Sequence, residues 1–236
     1  MVVDFTEKYL SQMEIDFSEH NAKDFRIFAE LLLEWNEKMN LTAITEPEEM
    51  AIKHFLDSLT VLPIFPEDKT CSVIDIGSGA GFPGIPLAIM CRNLNFTLLD
   101  SLNKRITFLD TVIKELGLHN AVAVHGRAEQ FGREKDYREQ YDYAIARAVS
   151  NLSALCEYAL PFVKVGGYFI AMKGKEVEEE LSAAQNAIKE LSGELKSIQH
   201  ITLPDGSERN IIMIKKISQT SSKYPRPFTK ISKNPL

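Results

Sequence analysis

The chain contains 236 residues, of which 44% are hydrophobic, and its formal net charge at pH 7 is −6. This hydrophobic fraction is ample for a sizeable core and excludes a chain that is disordered throughout. The negative charge argues against a protein that coats nucleic acid indiscriminately, so any nucleic-acid contact requires a local basic patch. The length suits one large domain with a modest extension.

The cysteines and the N-terminus bear on the cellular compartment. Cys71, Cys91 and Cys156 have no metal-ligand spacing and are odd in number, which predicts reduced thiols with no metal site and no disulfide framework. Charged residues interrupt the apolar ones at the N-terminus, so no signal peptide is expected. No apolar run is long enough to span a bilayer. We therefore expect a cytoplasmic protein without a membrane partner.

The first part of the chain, residues 1–66, is predicted to be a helical extension. Apolar residues recur at helical spacing over 24–39, with Asp24 expected near the start of that helix. Residues 45–48 read Thr-Glu-Pro-Glu, a pattern typical of a capping box at the start of a second helix. Pro63 and Pro66 are expected to end it.

Three polar residues of this second helix, His54, Asp57 and Ser58, are three and four positions apart and can meet on one face. A Ser-His-Asp hydrolase would also need a nucleophile on a strained turn and an oxyanion hole, and the sequence has neither pattern. Two interpretations stay open. The residues form a polar face with local hydrogen bonds, or they form a pocket rim that faces a cofactor or substrate.

A glycine-rich loop follows a short apolar run at residues 73–76, which predicts a buried strand. Gly77, Gly79 and Gly81 then allow the chain to turn sharply and let a ligand approach the backbone, both of which a Cβ would hinder. Pro83 suits the first turn of the next helix, whose N-terminus adds a polar cradle.

Two nucleoside cofactors compete for this loop. The dinucleotide pattern Gly-x-Gly-x-x-Gly, counted from Gly77, places Phe82 where the last glycine belongs, and counted from Gly79 it starts too far from the strand. NAD is therefore the weaker reading. The arrangement Asp-x-Gly-x-Gly-x-Gly, beginning at Asp75, instead resembles the first motif of class I methyltransferases that use S-adenosylmethionine (SAM), in which the acid lies near the amino-acid moiety of the cofactor.

The following segments alternate between strands and helices. Residues 95–100 predict a strand ending in Asp100, an acid placed to accept hydrogen bonds from ribose hydroxyls of SAM or NAD alike. A helix over 101–116 precedes a third strand at 120–126, after which Ala128 and Glu129 are candidates to contact adenine. The fourth strand, 141–149, carries Arg147 near its end.

The remaining pattern predicts a helix over 152–162, a turn at Gly166 and Gly167 into a strand at 168–172, and a helix over 176–191. Strands at 198–203 and 210–217 flank a hairpin signal. The expected fold is therefore α/β and Rossmann-like, with a mostly parallel seven-stranded sheet and one antiparallel strand in a cofactor-binding domain over 67–217.

The C-terminal tail, residues 218–236, is basic and contains no acidic residue. Two interpretations are even: a disordered solvated tail, or a segment that contacts RNA through its cations and aromatic rings. The residues in question are Lys223, Tyr224, Arg226, Phe228, Lys230 and Lys233.

Taken together, the motifs resemble one family, RsmG or GidB, the bacterial 16S rRNA guanine-N7 methyltransferases. The resemblance covers essentially the whole chain and rests on residues 35–42, 54–59, 75–84, 100–105, 127–129, 147–148, 223–226 and 233–236. It implies SAM bound near Gly77, Phe82, Ala128, Glu129 and Arg147. It also implies a target guanine, G527, in the 530 loop of 16S rRNA, free or within the small subunit or its assembly intermediate.

The chemistry that the family implies agrees with what the sequence lacks. Guanine N7 has a free lone pair and no proton, so its methylation needs neither a general base nor a covalent intermediate. We expect His54, Asp57, Ser58, Arg147, Lys223 and Arg226 to contact the substrate, and the protein to be a monomer. Two alternatives are kept: an RNA-associated protein that binds SAM without turnover, and an NAD-linked oxidoreductase.

Overall fold

A central sheet organises the computed structural model, which describes residues 1–12, 15–147 and 149–236. Within these ranges seven strands are ordered β3-β2-β1-β4-β5-β7-β6. The strands are β1 (Ser72–Ile76), β2 (Asn95–Asp100), β3 (Ala121–His125), β4 (Tyr141–Arg147), β5 (Val163–Lys173), β6 (Gly193–Thr202) and β7 (Glu208–Lys216). Strand β7 is antiparallel to β5 and β6, and the other pairs are parallel. The predicted fold class is confirmed.

Helices cover both faces of the sheet. They are α1 (Val2–Gln12), α2 (Glu19–Met39), α3 (Pro47–Met50), α4 (Asp57–Leu59), α5 (Gly84–Met90), α6 (Asn103–Glu115), α7 (Ala128–Phe131), α8 (Leu152–Ala159), α9 (Glu178–Glu190) and α10 (Phe228–Lys233). A π-helical segment, Ala51–Leu56, joins α3 to α4, and 3-10 turns occupy Leu62–Ile64 and Leu160–Phe162. Among the described helices none is both long and apolar enough to cross a membrane.

The N-terminal helices pack on the sheet domain through aromatic side chains. The ring of Phe28 in α2 lies 5.3 Å from that of Phe82 and 6.5 Å from that of Phe108, and Trp35 lies 5.7 Å from Phe108. Phe55 also reaches Phe82, at 6.1 Å. Because these rings belong to one buried cluster, the extension and the glycine loop share a core.

Two predicted helix starts were wrong. Helix α2 begins at Glu19 because Ser18 accepts a hydrogen bond from the backbone N–H of Asn21, whose side chain reaches back to Ser18. Asp24 lies inside the helix, where it is buried and paired with Arg92. The helix after residue 45 has Glu46 at its N-cap and no side-chain cap bond, so the expected capping box does not form.

The glycine pair at 166 and 167 was predicted to form a turn and instead lies inside β5. A Cβ on Gly167 would stand 2.5 Å from the carbonyl oxygen of Asp142 in the neighbouring strand. The register between β4 and β5 shifts at the same place, between Tyr141 and Tyr143. The glycines therefore permit a close and irregular strand pairing rather than a reversal of the chain.

The C-terminal tail is ordered, so the disordered alternative was wrong. Tyr224 and Ile231 are buried, and the guanidinium of Arg226 pairs with the buried carboxylate of Glu157 at 2.7 Å. Arg133 and Arg138 donate hydrogen bonds to backbone carbonyls of residues 220–225. The tail is thus fastened to the domain by contacts that charge counting along the sequence does not reveal.

Most other boundaries agree with the sequence pattern to within a few residues, but β6 begins at Gly193, well before the predicted start at residue 198. Strand β2 covers the expected residues, while α6 and α9 are each shorter by about a turn or less. The predicted helix over 152–162 divides into α8 and a 3-10 turn. Ala148, inside the predicted fourth strand, lies outside the described residues.

Candidate cofactor and substrate site

Backbone hydrogen bonds fix the path of the glycine loop where it leaves β1. The N–H groups of Gly77 and Ser78 both donate to the carbonyl oxygen of Leu99, at 2.8 and 3.1 Å, which fastens the loop to β2. Gly79 has a φ of +60°, and among the described residues beyond its chain neighbours, a Cβ built on it would meet only the backbone oxygen of Gly77, at 3.8 Å. A side chain there would combine an unfavourable backbone with intrusion into the open side of the loop.

Asp75 lies beneath this loop and is fully buried. Its Oδ2 accepts a hydrogen bond from the N–H of Gly84 at 3.1 Å, and its Oδ1 has no partner among the described atoms. Burial raises the pKa of Asp75 to about 7, against hydrogen bonds from Ser78 and Gly84 and the charge of Arg147, which lower it. A nearby cation would favour the ionised form, so this acid fits a cofactor with an ammonium and a sulfonium.

Asp100 connects the loop with the end of β2. Its Oδ2 accepts from the N–H of Gly79 at 2.9 Å and from Arg105 at 3.2 Å, while Oδ1 accepts from the N–H of Leu102 at 2.9 Å. The carboxylate is 3% exposed yet lines an open cleft. Three donors fix its orientation, and one lone pair on Oδ1 is left for a further donor.

The cleft has a volume of about 490 Å³ and lies outside the carboxyl ends of the parallel strands, where open α/β sheets bind ligands. It is lined by four of the predicted cofactor residues, Gly77, Asp100, Ala128 and Glu129. Glu129 is 8% exposed. The other predicted residues do not line it: Asp75, Gly81 and Phe82 are buried on the inner side of the loop, and Gly79 and Arg147 lie beside it.

A charged cluster joins the N-terminal extension to the sheet. Asp57 accepts from Arg147 through Oδ2 at 3.1 Å and from Arg209 through Oδ1 at 3.1 Å. Arg147 also donates to the carbonyl oxygen of Lys53 at 3.0 Å. Burial lowers the pKa of Arg147, while the charges of Asp57 and Asp75 raise it. One carboxylate thus holds two guanidinium groups near the glycine loop.

His54 completes this cluster. Its ring stacks on Phe82 with centroids 4.3 Å apart and planes 14° apart, and Arg147 lies 5.1 Å from the same Phe82 ring. Burial and the charge of Arg147 lower the pKa of His54 to about 3, so the ring is neutral. The guanidinium of Arg147 lies 3.4 Å from Nδ1, and Oγ1 of Thr42 lies 2.7 Å from Nε2, so both ring nitrogens have a polar partner.

The remaining predicted substrate residues are placed differently. Ser58 is fully buried and its hydroxyl donates to the carbonyl oxygen of His54, as in the open alternative of a local helix bond. Arg226 is occupied by Glu157, and Lys223 pairs with Glu190 at 3.2 Å while its side chain stays 62% exposed. The structure brings together the side chains of His54, Asp57 and Arg147. Ser58 contacts only the backbone of His54, and Lys223 and Arg226 pair with other acids.

Comparisons with known proteins decide the family. The family model described as rRNA small subunit methyltransferase G matches residues 21–212. A protein of that name from Desulforamulus reducens is 50% identical over 228 residues, covering 95% of this chain and 94% of its own. One from Thermoanaerobacter sp. strain X514 is 51% identical over 217 residues, covering 92% and 90%. The chain belongs to the rRNA small subunit methyltransferase G family.

Solved structures agree with this methyltransferase G family at the level of fold. An SAM-dependent methyltransferase from Aquifex aeolicus has a TM-score of 0.54 at 16% identity and covers 72% of this chain and 93% of its own. Aeropyrum pernix fibrillarin with natively bound SAM has a TM-score of 0.52 at 14% identity, covering 64% and 68%. Membership confirms the predicted SAM-dependent rRNA methyltransferase and its cofactor, and it decides against the NAD-linked alternative.

Two residues of the charged cluster in this methyltransferase G family member, Arg209 and Thr42, were not predicted from the sequence. Arg209 follows a hairpin turn, and no motif in the neighbouring sequence indicates a functional role for it. Thr42 belongs to a motif that carried the family resemblance, but no role was assigned to it. Its backbone N–H donates to the side chain of Asn36 at 2.8 Å, which fixes the loop that presents its hydroxyl to His54.

Proposed function

We propose that this family member transfers the methyl group of SAM to N7 of one guanine, G527, in the 530 loop of 16S rRNA, in line and without a covalent intermediate. The observation that carries the proposal is the state of the polar groups beside the glycine loop. Asp57 is bound through both oxygens by arginines, and His54 is neutral with both ring nitrogens engaged. Neither is free to remove a proton, and an attack by N7 requires no proton removal.

The cysteines support the same chemistry. Cytosine C5 methylation needs a thiolate nucleophile, and here burial raises the pKa of Cys71, Cys91 and Cys156, with Cys91 at about 11. Cys71 and Cys156 are also buried within the core. A thiol that stays protonated in an apolar environment is a poor nucleophile. Covalent catalysis by these residues is therefore not part of the proposal.

In this proposal different residues of the cleft bind the ribose, the adenine and the amino-acid moiety of the cofactor. Asp100 accepts hydrogen bonds from the ribose hydroxyls, and Ala128 and Glu129 contact the adenine. The backbone of Gly77 and Gly79 holds the amino-acid moiety, the buried Asp75 supplies negative charge from beneath the loop, and Gly81, Phe82 and Arg147 support the loop. SAM supplies the electrophilic methyl group when bound. The protein supplies placement, and holding reactants in line can contribute roughly 7 to 11 kcal/mol in favourable cases.

The target base is proposed to approach from the side of the charged cluster. His54, Asp57 and Arg147 lie next to the loop, and Arg209 extends the cluster toward solvent with its side chain 21% exposed. N7 lies on the major-groove edge, and the major groove of A-form RNA is too deep and narrow for side chains to read. A loop or splayed base within 16S rRNA, presented by the small subunit or an assembly intermediate to a monomeric enzyme, meets that restriction.

The test is methylation of small ribosomal subunits that lack the modification. Tritiated SAM with purified protein should label one guanine of 16S rRNA, and the Gly79→Asp variant should give no label. No label with wild-type protein, under conditions in which a known methyltransferase is active, would refute the proposal. SAM binding without label would favour the alternative of an RNA-associated protein that binds SAM without turnover.

A further inference from the structure

The C-terminal helix α10 forms part of the wall of the cofactor cleft. Phe228 and Ser232 line the cleft beside residues that follow β3, including Arg127, Ala128 and Glu129. The guanidinium carbon of Arg127 lies 5.2 Å from the centre of the Phe228 ring. Residues of the last helix therefore line the end of the cleft at which the nucleoside base is expected.

The position of α10 is fixed by hydrogen bonds and an ion pair of Arg226, which precedes the helix. Both the backbone N–H and the guanidinium of Arg226 donate to Glu157, whose carboxylate is fully buried in α8. Ile231 on α10 is buried, and α8 itself contributes Ala154 and Tyr158 to the cleft. The tail and the cleft thus share a supporting helix, and α10 has a fixed position relative to the cofactor site.

The exposure of Phe228 is unusual for its type. Its side chain is 47% exposed, and it is the one aromatic residue among the large hydrophobic residues described as exposed. An aromatic ring at the edge of a cleft is unfavourably hydrated, and it becomes favourable when a flat ligand covers it. The neighbouring Arg127 and Glu129 provide polar groups at the rim, a combination suited to a nucleobase.

We propose that Phe228 contacts the adenine end of the cofactor, so that the C-terminal tail is a component of the cofactor site. The inference rests on the proposed function because it takes the cleft as the SAM site. It replaces the sequence-based expectation that the aromatic residues of the tail stack on RNA bases. Phe228 acts on binding, and its removal affects affinity for any ligand that carries the adenosine group.

The experiment is titration calorimetry of the full-length protein with SAM, 5′-methylthioadenosine and methionine. Replacement of Phe228→Ala should raise the Kd for both adenosine-containing ligands by roughly three- to tenfold. Methionine binding should be the same in both proteins. The Phe228→Tyr variant keeps the ring and should retain wild-type affinity, and Thr229→Ala, on the adjacent exposed position, serves as the matched control.

Equal affinity of wild type and Phe228→Ala for SAM and 5′-methylthioadenosine would overturn the inference while leaving the proposed function intact. A Phe228→Ala variant with weaker RNA binding and unchanged SAM binding would also overturn it. That result would show that the Phe228 ring contacts RNA and not the cofactor. If wild-type protein bound neither SAM nor 5′-methylthioadenosine, the proposed function would fail first, and this inference with it.

Discussion

Asp57 and Arg147 form an ion pair 3.1 Å long, with side chains 6% and 13% exposed, between the N-terminal extension and the end of β4. The pair connects two parts of the chain that the sequence analysis treated separately. Because Asp57 also binds Arg209, it holds three elements around the glycine loop. The extension is thereby fastened to the sheet domain beside the glycine loop.

Replacement of Asp57→Asn should lower the free energy of unfolding by about 3 to 5 kcal/mol, because it leaves the buried Arg147 without a compensating charge. Urea unfolding followed by circular dichroism measures the change. The exposed pair of Lys53 and Glu49 gives a control, and Glu49→Gln should cost less than about 1 kcal/mol. Equal losses in the free energy of unfolding for the two substitutions would show that the buried pair stabilises the fold no more than the exposed pair does.

Replacement of Gly79→Asp should abolish measurable SAM binding, with a Kd increase on the order of a hundredfold or more. The φ of +60° strains any other residue, and the new carboxylate would lie beside Asp100, which accepts from the Gly79 N–H. Gly206→Asp is the matched control because Gly206 has a φ of +80° and open space around it. Unchanged SAM affinity in the Gly79 variant would count against this site.

The neutral state of His54 predicts acid sensitivity. Its pKa in the folded protein, about 3, is below the ordinary value of 6.5. Between these two pH values the unfolded chain therefore binds a proton on His54 and the folded protein does not. The stability contribution of His54 is complete above pH 6.5 and is lost as pH falls toward 3. Between pH 6 and 4, wild type should lose up to about 1.4 kcal/mol per pH unit more than His54→Gln.

Thermal or urea unfolding at several pH values measures this difference, with His119→Gln on the exposed surface as a control. Parallel pH profiles for wild type and His54→Gln would contradict a buried neutral ring. Protonation of His54 would also place a second cation against Arg147, 3.4 Å away, which is the physical reason for the expected loss.

Arg226 should contribute to stability far more than its neighbour Lys223. Arg226→Met removes the cation that faces the fully buried Glu157, leaves only the backbone N–H of residue 226 as its donor, and should cost about 3 kcal/mol. Lys223→Met breaks an exposed pair with Glu190 and should cost less than about 1 kcal/mol. Chemical denaturation compares the two variants. A smaller cost for Arg226 than for Lys223 would contradict the anchoring of the tail.

Lys223 keeps the sequence-based prediction of an RNA contact because its side chain is largely exposed. Lys223→Ala should weaken RNA binding and reduce the slope of log K against log salt by about 0.7 to 0.9. The matched variant Glu190→Gln removes the competing acid and should not weaken binding. Salt-dependent filter binding measures both, and an unchanged slope in Lys223→Ala would remove the tail from the RNA interface.

Local signals in the sequence predicted four residues that line the cleft, namely Gly77, Asp100, Ala128 and Glu129. The strand, the glycines and Asp100 are within about 30 residues of one another, and a parallel sheet places consecutive strand ends at one edge. The ion pair of Asp57 with Arg209 joins residues 152 positions apart, and no spacing rule detects such a contact. The acid that anchors the tail, Glu157, lies 69 positions from Arg226, so the sequence pattern around Arg226 does not reveal its ion pair.

The most direct measurement of the central claim maps the methylated atom. Small subunits treated with the protein and SAM are deproteinised, and the 16S rRNA is reduced with borohydride and treated with aniline, which cleaves RNA at N7-methylguanine. The account predicts one new cleavage in the 530 loop that requires both protein and SAM. Incorporation of a labelled methyl group into 16S rRNA without cleavage at a guanine would contradict it.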